Sequence, residues 1–320
     1  MTANEQSGRS SLRALLARQR WWPYSLLTLS VFFLATDVTI GRFAEGNDVP
    51  PLGLGFWRVM GPAILLTPFY GRELIAKRAI VARHWKILSV LGLSISVFGG
   101  SALYLGLSQT TAMNAGVVSA AQAATMVFMG WLFFRDQINL RQGLGLAIAA
   151  VGVLAVVARG EFAILLGLQL QPGDLLVFVA VVGFSAYIVL LRLTPPDLSP
   201  FAIVCAVSWA GAFFAGPLYL WEIFYVAPFP YTATSVAMIV WISIFVSVIA
   251  VGFMTIGTLA VGSYISSMFN YVRTIFIAAL AIVVLGESIA LYHVAGVIVI
   301  FAGVYLMTAR RRHASVQPPA

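Results

Sequence analysis

The sequence predicts an all-α polytopic membrane protein with ten transmembrane helices in two inverted five-helix repeats. Three observations lead to this fold class: the composition, the length of the apolar runs and an internal repeat. Of the 320 residues, 61% are hydrophobic and 9% are charged, whereas soluble domains are roughly 45–50% apolar and about 25% charged. So few polar residues cannot cover a globular surface in water, which excludes a soluble fold.

Ten apolar runs are long enough to cross a bilayer, which takes roughly 20 residues of helix. They cover residues 22–40, 53–70, 87–107, 112–134, 140–158, 173–191, 200–221, 236–257, 262–285 and 289–308. The first run follows several arginines, as a secretory signal would, but it contains Asp37 and no clear small-residue cleavage site follows it. We therefore expect it to be retained as the first span.

The basic residues predict the orientation, because cytoplasmic loops of membrane proteins carry an excess of Lys and Arg. With the N-terminus inside, cytoplasmic segments hold 15 of the 19 Lys and Arg, and only Arg42 and Arg159 lie outside. We expect a multi-pass protein of the cell inner membrane with both termini cytoplasmic. The net charge of +8 comes from these basic segments, so it does not indicate a nucleic-acid partner.

The second half of the chain repeats the first. At an offset of 151 residues an acid and two glycines recur, and at 150 an arginine and a proline recur; the matches are Asp136/Glu287, Gly145/Gly296, Gly152/Gly303, Arg42/Arg192 and Pro50/Pro200. Each half has five predicted spans, and because five is odd the second half is inverted in the membrane. The predicted segments are a cytoplasmic tail (1–21), a first repeat (22–158), an external linker (159–172), a second repeat (173–308) and a cytoplasmic tail (309–320).

Two segments carry a more specific resemblance: MGWLFFRDQINLRQGLGLAIAAVGVLAVV at 129–157 and ALAIVVLGESIALYHVAGVIVIFAGVYLM at 279–307. Each has an apolar span, an acid and then a glycine-spaced span, a pattern that resembles the drug/metabolite transporter superfamily of the EamA type. The first copy has Arg135-Asp136 where the family usually has Gly-Glu. The resemblance covers nearly the whole chain. It implies ten helices, transport across the inner membrane, often export, and no use of ATP.

Arg273 is the first candidate for a substrate-binding residue. A charge at the centre of a membrane helix costs about 2.5–3.5 kcal/mol on insertion scales, so such residues usually serve a function. The 151-residue offset matches Arg273 to Gln122, which places two long polar side chains at equivalent depths in the two repeats. Asn270 and Tyr271 lie within one turn of Arg273, and Tyr187 lies inside another span. The alternative for Gln122 and Arg273 is a structural hydrogen bond between packed helices.

Asp37 and Arg58 are candidates for coupling or gating. They lie at comparable depth on consecutive predicted spans, near the outer surface, where Arg58 could extend its side chain towards water. A structural ion pair and a gating or coupling role are both open. For Asp136 and Glu287, which end the fourth and ninth spans, we expect a structural role as caps of the helices that follow them.

No enzyme motif is present: the sequence has no Walker loop, no GxGxxG after a strand and no HExxH. Its one cysteine and three histidines form no metal-ligand spacing. We therefore expect no catalytic residue, no metal and no cofactor. The expected partners are a small-molecule substrate, the lipid bilayer and, as a candidate coupling ion, the proton; the chain is expected to be a monomer or a homodimer.

The sequence therefore predicts a secondary transporter that moves a small polar metabolite, an amino acid or another carboxylate-bearing compound, outward by alternating access. One alternative is an exporter of cationic drugs or amines that uses Asp37. Another, of a different class, is a membrane receptor or assembly subunit that transports nothing. Substrate flux in proteoliposomes would separate the last alternative from the first two.

Overall fold

The computed structural model of the protein describes residues 21–136, 140–157, 171–287 and 290–308, and every regular element within these ranges is a helix. The main helices are α1 (Trp22–Glu45), α2 (Pro51–Ala76), α3 (Trp85–Leu107), α4 (Ala112–Ala120 followed by Gln122–Phe134), α5 (Leu140–Val157), α6 (Pro172–Leu190), α7 (Pro200–Tyr225), α8 (Ala233–Val261), α9 (Ser263–Leu285) and α10 (Leu291–Thr308). The predicted tails and most of the predicted linker lie outside the described residues.

Six of these helices, α1 to α3 and α6 to α8, are long and apolar enough to cross a membrane. The two segments of α4 make a seventh if they form one span, with a bend of 43° between them. The structure therefore confirms an all-α polytopic membrane protein. The full count of ten spans stays a prediction.

The helices pair across the two repeats. Packing between α5 and α10 depends on glycines that the sequence repeat had marked for close helix approach. A side-chain carbon added at Gly303 would lie 2.5 Å from the carbonyl oxygen of Gly145, and one added at Gly152 would lie 2.7 Å from Cγ1 of Ile300. The two backbones approach so closely that any side chain at these positions would collide.

The pairing of α2 with α7 is antiparallel and reciprocal. Near the end of α7, the carboxylate of Glu222 accepts hydrogen bonds from the N–H groups of Leu52 (2.9 Å) and Gly53 (2.6 Å), at the start of α2. Near the end of α2, the carboxylate of Glu73 accepts bonds from the N–H (3.0 Å) and hydroxyl (2.6 Å) of Ser199, at the start of α7. Each helix thus caps the other with a carboxylate, which satisfies N–H groups that a helix start leaves free.

The sequence contains a signal for this pairing that the predicted alignment did not use. Between α2 and α7 the repeat offset is 149, and it matches Pro51/Pro200, Pro68/Pro217, Tyr70/Tyr219 and Glu73/Glu222. The predicted match of Pro50 with Pro200 is wrong by one residue, because α2 begins at Pro51 and α7 begins at Pro200. A proline suits the first position of a helix, where its missing N–H costs nothing.

Candidate functional site

A narrow cavity lies between the two repeats and collects most of the predicted site residues. Its polar and aromatic lining comes from α2, α4, α6 and α9, namely Arg58, Gln122, Phe184, Tyr187, Asn270 and Arg273. Its volume, about 30 Å³ counted over positions open to the centre of a water molecule, admits ordered water but not a metabolite. The structure therefore describes a conformation that is closed around this site.

The helices α3 and α8 contribute to the cavity through π-helical turns. The π-helical segment Ser94–Ser101 interrupts α3 and the segment Ile242–Ala250 interrupts α8. Ile95, in the first of these segments, lines the cavity, and Val251 follows the second directly and also lines it. Such turns are rare and often occur at functional sites, because the extra residue redirects the neighbouring side chains.

Gln122 and Arg273 are in direct contact, as matched positions of the two repeats. The Nη1 atom of Arg273 donates a hydrogen bond to Oε1 of Gln122 at 3.2 Å, and both side chains are buried. Gln122 begins the second segment of α4, just after the bend. Asn270 is buried one turn before Arg273 and lines the same cavity. The sequence offset therefore identified a real contact; whether it serves a substrate is a separate question.

The two predicted tyrosines differ in what can be said of them. The hydroxyl of Tyr187 lies 3.2 Å from Oγ1 of Thr255, which fixes the ring at the cavity wall. Tyr271 is part of α9, next to Asn270, but its side chain lies outside the described part of the chain.

Asp37 and Arg58 form a buried ion pair, with 3.1 Å between Oδ2 and Nη2. The expectation that Arg58 reaches towards the outer surface is wrong, because its side chain is 3% exposed and lines the cavity. Its partners hold it there: Tyr104 donates a hydrogen bond to Oδ1 of Asp37 at 2.5 Å, and Cζ of Arg58 lies 4.8 Å from the ring centre of Phe184. Tyr104 and Phe184 had no role in the sequence prediction of this pair.

The cavity has an excess of positive charge and of hydrogen-bond donors. Asp37 is the carboxylate closest to two buried guanidinium groups, Arg58 and Arg273, so the three together carry a net charge of +1. Within the described residues, Nε and Nη1 of Arg58 and Nε of Arg273 have no hydrogen-bond partner. Buried donors without partners are costly, so these atoms are where a ligand with acceptor atoms would gain most.

Asp136 and Glu287 do not act as the sequence predicted. Glu287 caps α4 instead of the helix that follows it, and accepts hydrogen bonds from the N–H groups of Ala112 (2.9 Å) and Met113 (2.8 Å). Asp136 forms an exposed ion pair with Arg192, at 2.9 Å. The antiparallel packing brings other helix ends closer to these turns than the helix next in sequence, which is why the prediction failed.

A buried polar network next to the start of α4 was also missed. Asn114 accepts a hydrogen bond from, or donates one to, Nε2 of His293 at 2.8 Å through its Oδ1 atom, and its amide nitrogen lies 3.4 Å from both carboxylate oxygens of Asp174. The hydroxyl of Thr110 donates to Asp174. The three polar groups Asn114, Asp174 and His293 come from three different helices, and nothing in their sequence spacing indicates that they meet.

Comparison with known proteins places the chain among transporters. It is 21% identical over 309 residues to the uncharacterized transporter YetK of Bacillus subtilis, covering 96% of this chain and 92% of the relative. An uncharacterized transporter of Archaeoglobus fulgidus is 27% identical over 272 residues, covering 83% of this chain and 90% of the relative. One solved crystal structure has the same fold, with a TM-score of 0.59, 14% identity and coverage of 89% of this chain and 96% of that one.

The family model for EamA-like transporters matches twice, at residues 21–158 and 171–309. These two matches coincide with the two repeats predicted from the offsets of about 150 residues. Together they cover most of the chain. The protein belongs to the EamA-like transporter family.

Proposed function

We propose that this protein exports a small metabolite with a carboxylate group across the inner membrane, by alternating access and without ATP. The observation that supports this most directly is the set of three partnerless guanidinium nitrogens on Arg58 and Arg273 at one cavity. A carboxylate is planar and offers two acceptor oxygens, which suits the fork of a guanidinium group. Its negative charge would also neutralise the net positive charge of the cavity.

The contacts already present suggest how a substrate would be held. Arg273 uses Nη1 to bind Gln122, so Nε is left for the ligand. Arg58 uses Nη2 to bind Asp37, so Nε and Nη1 are left. Asn270 and Tyr187 on the cavity wall would contact the rest of the molecule. The repeats would have to separate to admit it, as alternating access requires.

Asp37 is the group we propose for proton coupling. A substrate carboxylate that binds Arg58 competes with Asp37 for the same guanidinium, and a buried carboxylate that loses its counter-ion favours the protonated form. Substrate binding and proton uptake at Asp37 would then be linked. In the described conformation Asp37 is fully buried and held by Arg58 and Tyr104.

The alternative of a cationic substrate bound by Asp37 has no comparable support. Asp37 does not line the cavity, and both of its oxygens face partners, Arg58 and Tyr104. A cation entering this cavity would meet two guanidinium groups first. The receptor or assembly alternative predicts no flux at all.

The test measures binding and flux with a panel of amino acids, dicarboxylates and organic amines. Thermal unfolding of the purified protein identifies ligands, since a ligand that binds the native state raises the unfolding temperature. We expect carboxylates to stabilise the protein, and Arg273→Gln to weaken their binding by roughly 10- to 100-fold, because a hydrogen bond to a charged group contributes about 1.5–3 kcal/mol.

The matched control is Arg78→Gln, which removes an exposed arginine from the short helix Arg78–Arg83, away from the cavity. It should bind and transport like the parent protein in proteoliposomes. Stabilisation by amines alone, or full transport of a carboxylate by Arg273→Gln, would refute the proposed substrate class. Absence of flux for every compound would favour the receptor or assembly alternative.

A further inference from the structure

The turns that follow α4 and α9 have the same backbone. The residue that ends each helix, Arg135 or Gly286, is left-handed, with φ of 54° and 67°. In each turn the N–H of the next residue, Asp136 or Glu287, donates to the carbonyl oxygen six residues earlier. Such a closure is a common way to end a helix. The two acids therefore leave equivalent turns from equivalent positions, 151 residues apart.

Their side chains nevertheless bind different groups. The carboxylate of Glu287 caps the start of α4 through the N–H groups of Ala112 and Met113. The carboxylate of Asp136 pairs with Arg192, just after α6. One acid serves as a helix cap and the other as half of an ion pair, although the repeat makes them counterparts.

The partners that each acid does not use have counterparts too. The counterpart of Ala112 is Ser263, the first residue of α9, and the residue before it is Gly262, which has no side chain to cap the helix. The counterpart of Arg192 is Arg42, near the end of α1, which binds Glu45 at 2.7 Å.

Arg42 also lies beside the segment that Glu287 holds. Its Nη1 atom donates a hydrogen bond to the carbonyl oxygen of Leu107 at 3.4 Å. Leu107 ends α3, and Ala112, which Glu287 caps, begins α4 after a connection of residues 108–111. Arg42 and Glu287 therefore contact the two ends of one short connection.

We propose that the two acids exchange the kind of partner they bind during the transport cycle. In the alternate conformation Glu287 pairs with Arg42, and Asp136 caps the start of α9 at Ser263. The inference rests on the proposed alternating access, in which each of two inverted repeats adopts the conformation of the other. One cap and one ion pair exist in either conformation, so the two have similar energies, as a reversible switch requires.

The experiment uses pairs of cysteines in a Cys205→Ala background. The pair Arg42→Cys with Glu287→Cys reports the proposed contact, and the pair Asp136→Cys with Arg192→Cys reports the contact that the structure describes. Oxidation of each variant in membranes, without any substrate, measures the rate of disulfide formation. We expect both pairs to form disulfides.

A third pair serves as control. Glu73→Cys with Ser199→Cys joins α2 to α7, where the caps are reciprocal and no exchange is expected, so its disulfide should form at the same rate in every background. The equilibrium is then shifted by Arg192→Glu, which repels Asp136, and compared with Arg192→Lys, which keeps the pair.

Because an exposed ion pair contributes about 0.2–1 kcal/mol, the disulfide between positions 42 and 287 should form up to roughly fivefold faster with Arg192→Glu than with Arg192→Lys. No disulfide at 42–287 while 136–192 forms one would overturn the exchange. Equal rates at 42–287 in the two backgrounds would overturn the link between the two ends of the molecule.

Pulsed EPR on the same cysteine pairs, spin-labelled, gives a second measurement if a disulfide forms poorly. We expect two distance populations for positions 42 and 287, and the shorter one should grow with Arg192→Glu. A single unchanged distance contradicts the proposal. The substrate plays no part in either measurement, so failure of the carboxylate assignment would leave this result standing, and the reverse also holds.

Discussion

Two pairs of counterpart carboxylates behave in opposite ways in this molecule. Glu73 and Glu222 do the same thing at opposite ends of the α2–α7 pair, since each caps the partner helix. Asp136 and Glu287 leave equivalent turns and bind different groups, an arginine in one case and a helix start in the other. The first pair obeys the symmetry of the repeats and the second pair breaks it.

This difference separates parts of the fold that need not change from parts that must. Contacts that are already symmetric, such as the α2–α7 caps, remain the same when the two repeats exchange conformations. Contacts that are asymmetric, such as those of Asp136 and Glu287, have to change if both conformations use the same rules. The cavity is asymmetric as well, because Arg58 on α2 corresponds to Val207 on α7 at the offset of that helix pair.

The largest effect is expected where symmetry is broken inside the cavity. Asp37→Ala leaves Arg58 buried without its counter-ion, which typically costs about 3–5 kcal/mol of unfolding free energy. Unfolding in detergent, followed by circular dichroism, measures the loss. Adding Arg58→Leu should recover much of it, because the double variant buries no charge at this pair. A double variant as unstable as the single one would show that the pair itself, and not the orphaned charge, stabilises the fold.

The symmetric carboxylates should matter less, and unequally. Glu222→Gln keeps the size of a nearly fully buried side chain and leaves one of two N–H groups, on Leu52 or Gly53, without an acceptor, for an expected loss of about 1–3 kcal/mol. Glu73→Gln should cost less, because that side chain is 23% exposed and water can replace it.

The same unfolding measurement ranks the two variants of the caps. Both should retain ligand binding at the cavity, since these caps do not line it. Loss of carboxylate binding with either variant, at unchanged stability, would contradict the assignment of the α2–α7 pair as fixed scaffold.

The part of this fold that could be predicted from sequence is the part that repeats. An offset of 151 residues matched Gln122 to Arg273, and the two side chains are in contact. The reciprocal caps follow the same logic at an offset of 149, which Pro68 and Pro217 would have revealed. Both features leave a periodic trace in the chain, because each repeat must contain its own copy.

Asymmetric contacts leave no such trace. Tyr104 binds Asp37 across 67 positions of sequence, and no counterpart in the second repeat marks the residue. The position of the Arg58 side chain depends on Phe184, which lies in the other repeat. These contacts are set by how helices from two repeats cross, and hydropathy and spacing do not encode that crossing. The residues that carry the proposed function are therefore those that the repeat alone could not place.

The smallest effect, and the sharpest test of the asymmetry, comes from neutralising the two counterpart acids one at a time. Asp136→Asn removes an ion pair whose side chains are 49% and 41% exposed, so the unfolding free energy should fall by less than about 1 kcal/mol. Glu287→Gln weakens the cap of α4 and should cost more, about 0.5–2 kcal/mol. Chemical unfolding of both variants gives the difference directly. Equal losses would mean that the two acids contribute alike and that the described contacts do not dominate in solution. A larger loss for Asp136→Asn would mean that the conformation in which Asp136 caps α9 is the more populated one.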